Sequence, residues 1–409
     1  MTAEIIAVGS EMLTPQKTDT NSLWLTDQLN LLGVDVTQKT VIGDDQNRLA
    51  AAIASALDRT PLVLLTGGLG PTEDDLTREA TAQALNRALI HDPAILHAIE
   101  QRFASFGRKM APINKRQAFL VDGAVKLDNP NGTAPGQWLD FDGRMLALLP
   151  GPPGEMKPLF LTQVLPRLQA LLPPRVLRTR FFRVAGMGES DVDQLIAPAY
   201  KPYENPVTTI LAAAGDIQIH LRSFCATEAE AEARVAELGA KIEALLGNRI
   251  YSRNGDPLET ALGVLLRERK ATLAVAESCT GGLLGGRITE APGSSEWFLG
   301  GFQVYGRAMK TRLLGLDEKL VEREGVVSEA VAVAMAESAR DRTGATYALS
   351  VTGEAGPDSA TPGIEPGTVW IGVATPEGVE AKLHRFPGNR ARVRAFAVQS
   401  ALNLLRLRL

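Results

Sequence analysis

Twice along these 409 residues, short apolar runs alternate with amphipathic stretches, and this rhythm restricts the fold more than any other feature of the chain. Glu4 to Val8 reads as a buried strand. Asn21 to Leu32 follows as a helix, with Leu25, Leu29 and Leu32 at helical spacing and Gly33 ending it. Val34 to Ile42 is a second strand, Gln46 to Leu57 a helix and Pro61 to Thr66 a third strand. Met145 to Leu149 is a later one, closed by Pro150-Gly151-Pro152-Pro153. Apolar strands separated by helices predict a parallel sheet with helices on both faces.

The rhythm changes after Pro173-Pro174. Arg178 to Ala185 reads as strand, Glu189 to Ala199 as helix, Val207 to Ala213 and Asp216 to Phe224 as strands, and Thr227 to Leu246 as a long helix rich in Ala and Glu. In Asp216 to Phe224, Ile217, Ile219 and Leu221 alternate with polar residues, as in an antiparallel strand with one face exposed. Beyond Asn254-Gly255-Asp256-Pro257 the first rhythm returns. Asp256 is the expected N-cap of a helix from Pro257 to Arg269. Strands follow at Thr272 to Ala276, Phe298 to Tyr305, Thr346 to Val351, Thr368 to Ala374 and Val379 to Phe386. Among them lie helices from Thr280 and from Ser328 to Thr343, with a last one from Asn389 to Leu405. The expected fold is α/β: two three-layer α/β domains, residues 1–172 and 255–409, joined by a small α+β module, residues 176–252.

With 43 basic and 47 acidic residues the net charge is −4, which gives no global attraction to nucleic acid or to an anionic membrane. Hydrophobic residues make up 45% and charged ones 22%, which excludes a disordered chain. The two cysteines, Cys225 and Cys279, are far apart, so neither a disulfide framework nor a Cys-based zinc site is expected. Glu4 sits where a signal peptide wants basic residues, and no apolar run approaches a membrane span, so the expected location is the cytoplasm.

The 38 glycines and 24 prolines gather in a few loops. Thr66-Gly67-Gly68-Leu69-Gly70-Pro71-Thr72-Glu73-Asp74-Asp75 follows an apolar strand and precedes a helix. Its glycines allow a tight turn whose N–H groups can cradle an anion. It has neither Walker A nor dinucleotide-fingerprint spacing. Asp74 and Asp75 are either ligands of a divalent cation shared with phosphate oxygens or acids that complement a helix dipole. Asn131 to Gly136, with Thr133 and Gly136, offers hydroxyl and amide contacts, and Pro150 to Met156 lies at a similar strand-to-helix junction. Such loops at the carboxyl ends of strands are where open α/β sheets bind ligands.

In the last domain Ala276-Glu277-Ser278-Cys279-Thr280-Gly281-Gly282 is again a strand-to-helix turn. Ser278 is either a helix N-cap or a nucleophile close to unpaired amides. Of the four histidines, only His384 falls in this domain, on an alternating stretch where an ordinary strand position is the expected role. Tyr305 and Lys310 are better partners, because a desolvated lysine can replace histidine as the base. Cys279 is a reactive thiol or a small buried residue. Val351 to Asp358, with Gly353, is a plain turn or the far wall of the same pocket.

Across its whole length the chain resembles the CinA family. The N-terminal third resembles the MoaB/MogA/MoeA-like molybdopterin-binding domain through Gly67 to Asp75 and Asn131 to Gly136. In the CinA version this implies ADP-ribose pyrophosphatase activity with a divalent metal (Mg, Mn or Co). The set to be tested is Asp74, Asp75, Asp44 and Glu11 for the metal, Gly67, Gly68 and Thr72 for the phosphates, and Lys115 for the pyrophosphate charge. The middle segment is similar to the family's KH-type domain. It lacks the GxxG loop of nucleic-acid-binding KH domains and is rich in Glu, so a spacer or oligomerisation role, with a homodimer, is expected. The C-terminal part resembles the nicotinamide-nucleotide amidase domain through Glu277 to Gly282, Pro292-Gly293-Ser294-Ser295 and Gly353-Glu354-Ala355-Gly356-Pro357. The resemblance implies Ser278 as nucleophile with Tyr305 and Lys310 activating it. Thr280, Gly281, Gly282, Ser295, Gly353 and Arg390 would hold nicotinamide mononucleotide, with no metal. Two departures stand out: the family's usual Tyr-Ser-Asn is here Tyr305-Gly306-Arg307, and its usual Gly-Ile-Ala-Gly-Pro is Gly353-Glu354-Ala355-Gly356-Pro357.

Overall fold

The computed structural model describes residues 1–173, 175–359 and 361–409. Pro174, half of the Pro173-Pro174 boundary, lies outside the described residues. Packing divides the chain into two compact units, residues 1–177 with 224–227, and residues 178–223 with 228–409.

The first unit contains β1 (Thr2–Val8), β2 (Asp35–Ile42), β3 (Leu62–Thr66), β4 (Leu89–His91), β5 (Phe119–Val121), β6 (Val125–Leu127), β7 (Gly136–Phe141) and β8 (Arg144–Leu149). Six of them form one sheet in the order β2-β1-β3-β8-β7-β6, and β4 and β5 form a separate ribbon. β1 runs parallel to β2 and β3, and β3 parallel to β8. β7, however, is antiparallel to both β8 and β6, so the sheet is mixed rather than parallel throughout. The cause is local. Phe141 pairs with Arg144 across Asp142 and Gly143, whose φ values of 48° and 73° make a two-residue hairpin turn, and no crossover helix is possible there. Ile5, Leu64 and Leu149 pack with Leu25, Leu29 and Phe160 on one face. Ile6, Val63 and Leu148 pack with Leu49 and Ile53 on the other. Burial on both faces is why these strands read as unbroken apolar runs.

The second unit holds two sheets. β9 (Val176–Ala185), β10 (Val207–Ala213), β11 (Asp216–Cys225) and β12 (Ile250–Ser252) lie in the order β10-β11-β9-β12, with Ile217, Ile219 and Leu221 buried against helix Glu228–Leu246. β13 (Leu273–Glu277), β14 (Phe298–Gln303), β15 (Tyr347–Gly353), β16 (Thr368–Thr375) and β17 (Gly378–Arg385) form the second, in the order β14-β13-β15-β16-β17. β13 is parallel to β14 and β15, while the β15-β16 and β16-β17 pairs are antiparallel. Leu273, Val275 and Leu349 pack against helices Leu258–Glu268 and Arg390–Arg406, and Ala274, Ala276 and Ala348 against helix Glu329–Thr343. Three layers result. Asp256 does not cap helix Leu258–Glu268: that helix begins after Pro257 without a side-chain cap, and the Asp256 carboxylate accepts from Asn254 Nδ2 at 2.7 Å. Among the described residues no helix is long and apolar enough to cross a membrane.

Candidate active site

β13 lies between β14 and β15, so its carboxyl end is enclosed on both sides, and Ser278 is the first residue beyond it. The Ser278 N–H donates to Val351 O at 2.9 Å, which fixes the turn to the neighbouring strand. Helix Leu283–Thr289 starts only at Gly282, a left-handed cap residue with φ 94° and no side-chain bond. Ser278 is therefore not an N-cap. Its Oγ instead accepts from Lys310 Nζ at 3.1 Å, and the same ammonium donates to Val304 O at 2.9 Å. Ser278 is 8% exposed and Lys310 1%. Burial pulls the Lys310 ammonium down to about 8, because water that would solvate the cation is excluded; the Cys279 thiol opposes this weakly. Cys279, also buried, is pushed up to about 12, which makes it an inert neighbour rather than a thiolate. His384 in β17 stacks on Phe386 and is drawn down to about 4 by burial and then by Lys382; among the described residues it makes no hydrogen bond to Ser278.

Glu277 organises the turn. Its buried carboxylate accepts from the N–H groups of Gly282 (3.0 Å), Leu284 (3.0 Å) and Gly285 (2.8 Å). The Gly281 N–H donates to Ser278 O at 3.0 Å. Two amides expected to face a substrate are thus committed within the turn. Positive charge comes instead from side chains. Arg394 donates to Thr280 O at 2.6 Å, and Arg390 to Gly356 O at 3.0 Å and to the Tyr305 hydroxyl at 2.9 Å. Tyr305 is 62% exposed and is joined to Arg390 rather than to Ser278. The buried Thr280 Oγ1 has no partner among the described residues. Ser295 lies exposed in the short turn Ser294–Glu296 and makes no hydrogen bond to this group among the described residues. At Gly353 an added Cβ would lie 2.6 Å from Thr368 O, so glycine there serves the close β15-β16 approach.

In the first unit a cavity of about 770 Å3 opens where β1, β3 and β8 end. Gly67, Gly68, Asp74, Asp75, Asp44, Glu11 and Thr133 line it. Gly67 has φ 106°, and a Cβ on it would sit 2.3 Å from Val8 O. The loop is secured by buried Arg78, which donates to Leu69 O and Gly70 O, and by Thr77 Oγ1 to Gly67 O. Asp75 accepts from Gly70 N (2.8 Å), Thr72 N (2.9 Å) and Thr72 Oγ1 (2.6 Å), so this carboxylate staples the loop. Asp44 accepts from Ser10 N at 2.9 Å. Thr72, Lys115 and Gly136 do not line the cavity. Thr72 is spent on Asp75, Lys115 is exposed, and Gly136 is packed where a Cβ would meet Leu148 O at 2.8 Å. Among the described residues no three His, Cys, Asp or Glu side chains converge as a metal cage. The carboxylates of Asp74, Asp44 and Glu11 fit a hydrated divalent ion, which needs one or two protein oxygens, better than a closed protein centre.

Three family models match this chain: the CinA C-terminal domain over residues 255–409, a "Probable molybdopterin binding domain" over 4–170, and the damage-inducible protein CinA KH domain over 179–252. A CinA-like protein of Solibacter usitatus is 58% identical over 409 residues, spanning 100% of this chain and 98% of the relative. The chain belongs to the CinA family. A second CinA-like protein, from Acidobacterium capsulatum, is 48% identical over 413 residues and covers 100% of both chains. Among solved structures, the CinA protein of Thermoplasma acidophilum is 31% identical and covers 40% of this chain and 97% of its own, with a TM-score of 0.38. A CinA superfamily protein of Escherichia coli is 33% identical over 37% of this chain and 88% of its own, with a TM-score of 0.36.

In this CinA chain the structure brings Ser278 and Lys310 into contact, joins Tyr305 to Arg390, and gathers the glycines and acids of the first loop around one cavity. Sequence reading missed the work of Glu277, although the acid directly precedes Ser278. It also missed Arg394, one helical turn beyond Arg390. In the first unit it missed Asn21, whose Nδ2 donates to Thr66 Oγ1 (3.0 Å) and Gly151 O (2.7 Å) across the cavity floor.

Proposed function

We propose that this chain is a hydrolase of pyridine-nucleotide salvage, whose second unit converts nicotinamide mononucleotide to nicotinate mononucleotide and ammonia. The observation that carries the reading is the buried Lys310 Nζ, 3.1 Å from Ser278 Oγ and lowered to about 8. Neutral Lys310 takes the proton of Ser278, and Oγ attacks the carboxamide carbon. The tetrahedral intermediate collapses as the Lys310 ammonium protonates the leaving nitrogen, and ammonia departs. Water, deprotonated by Lys310, then opens the acyl-enzyme to release the carboxylate product. Arg390 and Arg394 supply the positive field for the substrate phosphate, and Tyr305 orients Arg390. The test is ammonia release from nicotinamide mononucleotide by the purified chain and by Ser278→Ala. Release must vanish in the variant; equal release by both removes Ser278 as nucleophile.

For the first unit we propose metal-dependent hydrolysis of the ADP-ribose pyrophosphate. Asp74, with Asp44 and Glu11, would hold a divalent ion that neutralises pyrophosphate charge, while Gly67 and Gly68 give the phosphates close access to the backbone. The match of residues 4–170 to a "Probable molybdopterin binding domain" favours a second reading for this half, a molybdopterin-type binding domain without turnover. ADP-ribose cleavage that is abolished by chelation and restored by added Mg, Mn or Co supports the enzyme. Binding without cleavage supports the second reading.

A further inference from the structure

The cavity of the first unit is rich in carboxylates and poor in cations. Glu11, Asp19, Asp44, Asp74, Asp75 and Glu155 line it, and Lys17 is the single Lys or Arg among the lining residues. Several of the acids are engaged by the protein itself. Asp75 and Asp44 hold backbone amides, Asp19 accepts from the Ser22 N–H at 2.9 Å as the N-cap of helix Thr20–Leu31, and Glu155 accepts from Asn129 Nδ2 at 2.7 Å. The arginines around the glycine loop are engaged as well: Arg78 donates to the carbonyls of Leu69 and Gly70, and Arg116 is shared among Thr72 O, Glu73 and Glu79. Lys17 differs from all of these. It lies on residues 14–19, which join the turn Ser10–Leu13 to helix Thr20–Leu31. Its side chain is exposed and makes no hydrogen bond or ion pair among the described residues. Thr18 and Thr20 beside it also line the cavity.

We propose that Lys17 is the phosphate-recognising residue of this cavity, and that it meets a pyrophosphate or phosphate ester from one loop while Gly67 and Gly68 meet it from another. A divalent ion taken up by Glu11, Asp44 and Asp74 has its charge largely met by those acids, so a phosphate entering among the carboxylates needs a further cation. An unpaired ammonium supplies it, as a compact point charge on a flexible stem. Lys115, the lysine expected from the sequence, does not line the cavity. The inference rests on a phosphate-bearing ligand in this cavity, which the hydrolytic and the molybdopterin-binding readings share, and not on turnover.

Calorimetric titration of the full chain, with Mg present, tests this with a methylene-bridged analogue of ADP-ribose that cannot be cleaved, and with adenosine as the uncharged contrast. Lys17→Met is expected to weaken binding of the analogue about tenfold or more and to leave adenosine unchanged, while Lys17→Arg keeps the wild-type affinity within about threefold. The loss should shrink as KCl rises from about 0.05 M to about 0.5 M, because the interaction is between charges close to solvent. Lys17 is exposed, so these substitutions leave the fold in place. Lys115→Met should bind the analogue as the wild type does. Unchanged affinity in Lys17→Met, an equal loss for adenosine, or no saturable binding of the analogue to the wild type each overturns the proposal. Cleavage of ADP-ribose by the wild type, read separately, distinguishes the two readings. Cleavage with unimpaired binding in Lys17→Met keeps the hydrolase and removes Lys17, whereas Lys17-dependent binding without cleavage keeps Lys17 and removes the hydrolase.

Discussion

Replacing Lys310 should improve stability near neutrality while abolishing turnover, and the pH dependence of both effects follows from one group. The ammonium is lowered from 10.5 to about 8 because burial strips its hydration. At roughly 1.4 kcal/mol per pH unit, this shift corresponds to about 3 kcal/mol. Since the folded value lies below the unfolded one, the unfolded chain holds the proton more firmly between about 8 and 10.5, and wild-type stability rises with pH across that window. Below it the whole penalty is present. Lys310→Met removes the penalty but leaves Val304 O without its donor, a loss of roughly 1–3 kcal/mol that does not depend on pH. The variant should therefore gain relative to wild type as pH falls, by about 3 kcal/mol between the two ends of the window. Unfolding of the full chain, followed through the transition that the substitution moves, reads this difference. In the wild type, about a quarter of the lysines are neutral at pH 7.5, against about one in a thousand for an unperturbed lysine. Amidase kcat/KM should rise with pH and level off above about 8. A stability difference that is flat with pH, or a kcat/KM that is flat through that range, refutes the buried-base argument.

Gly67→Ala forces a side chain into φ 106° with its Cβ 2.3 Å from Val8 O, and should destabilise the first unit by at least about 2 kcal/mol in urea unfolding. An unchanged midpoint would contradict the geometry. Glu277→Gln keeps one acceptor oxygen and turns an amide N–H toward at least one of the three backbone donors; a loss of about 2–3 kcal/mol and a kcat reduced tenfold or more are expected, measured by unfolding and by ammonia release. Tyr305→Phe removes one exposed acceptor of Arg390 and should raise KM about two- to tenfold with little change in kcat. A hundredfold fall in kcat would instead assign Tyr305 to proton transfer.

The sequence was most legible where burial is two-sided. β1, β3, β8 and β13 are unbroken apolar runs because both faces are covered. The second half of the first unit was less legible, since β6 has only three residues and β7 joins β8 by a hairpin rather than a crossover. The Asp142-Gly143 pair is the signal that could have revealed it. Helix Pro93–Ser105 also escaped, although the Asp92 carboxylate accepts from Ala94 N and Ile95 N and Pro93 opens the first turn. At the site, Ser278 announces itself by its place after an apolar strand. Lys310 does not. It reaches Ser278 only because β14 lies beside β13 and the chain folds back into helix Arg307–Leu314, a long-range fact that local pattern cannot carry.

The two glycine turns look alike as sequences and solve the same electrostatic problem differently. In the first unit Asp75 turns inward to hold Gly70 and Thr72, and Arg78 holds the carbonyls of Leu69 and Gly70, while Gly67 and Gly68 remain at the cavity wall. In the second unit Glu277 takes up three amides at the start of the helix after Ser278, cancelling much of the positive end of its dipole. An undiminished dipole directed at Ser278 would favour the serine alkoxide, but it would also hold the acyl product's carboxylate in place. With the amides committed to Glu277, the proposed amidase would have to take its base from Lys310 and its positive field from Arg390 and Arg394. In the proposed amidase the serine could be activated near neutrality only if its lysine stays dry, so the burial of Lys310 against Val304 O and Ser278 would matter to the chemistry as much as the serine does.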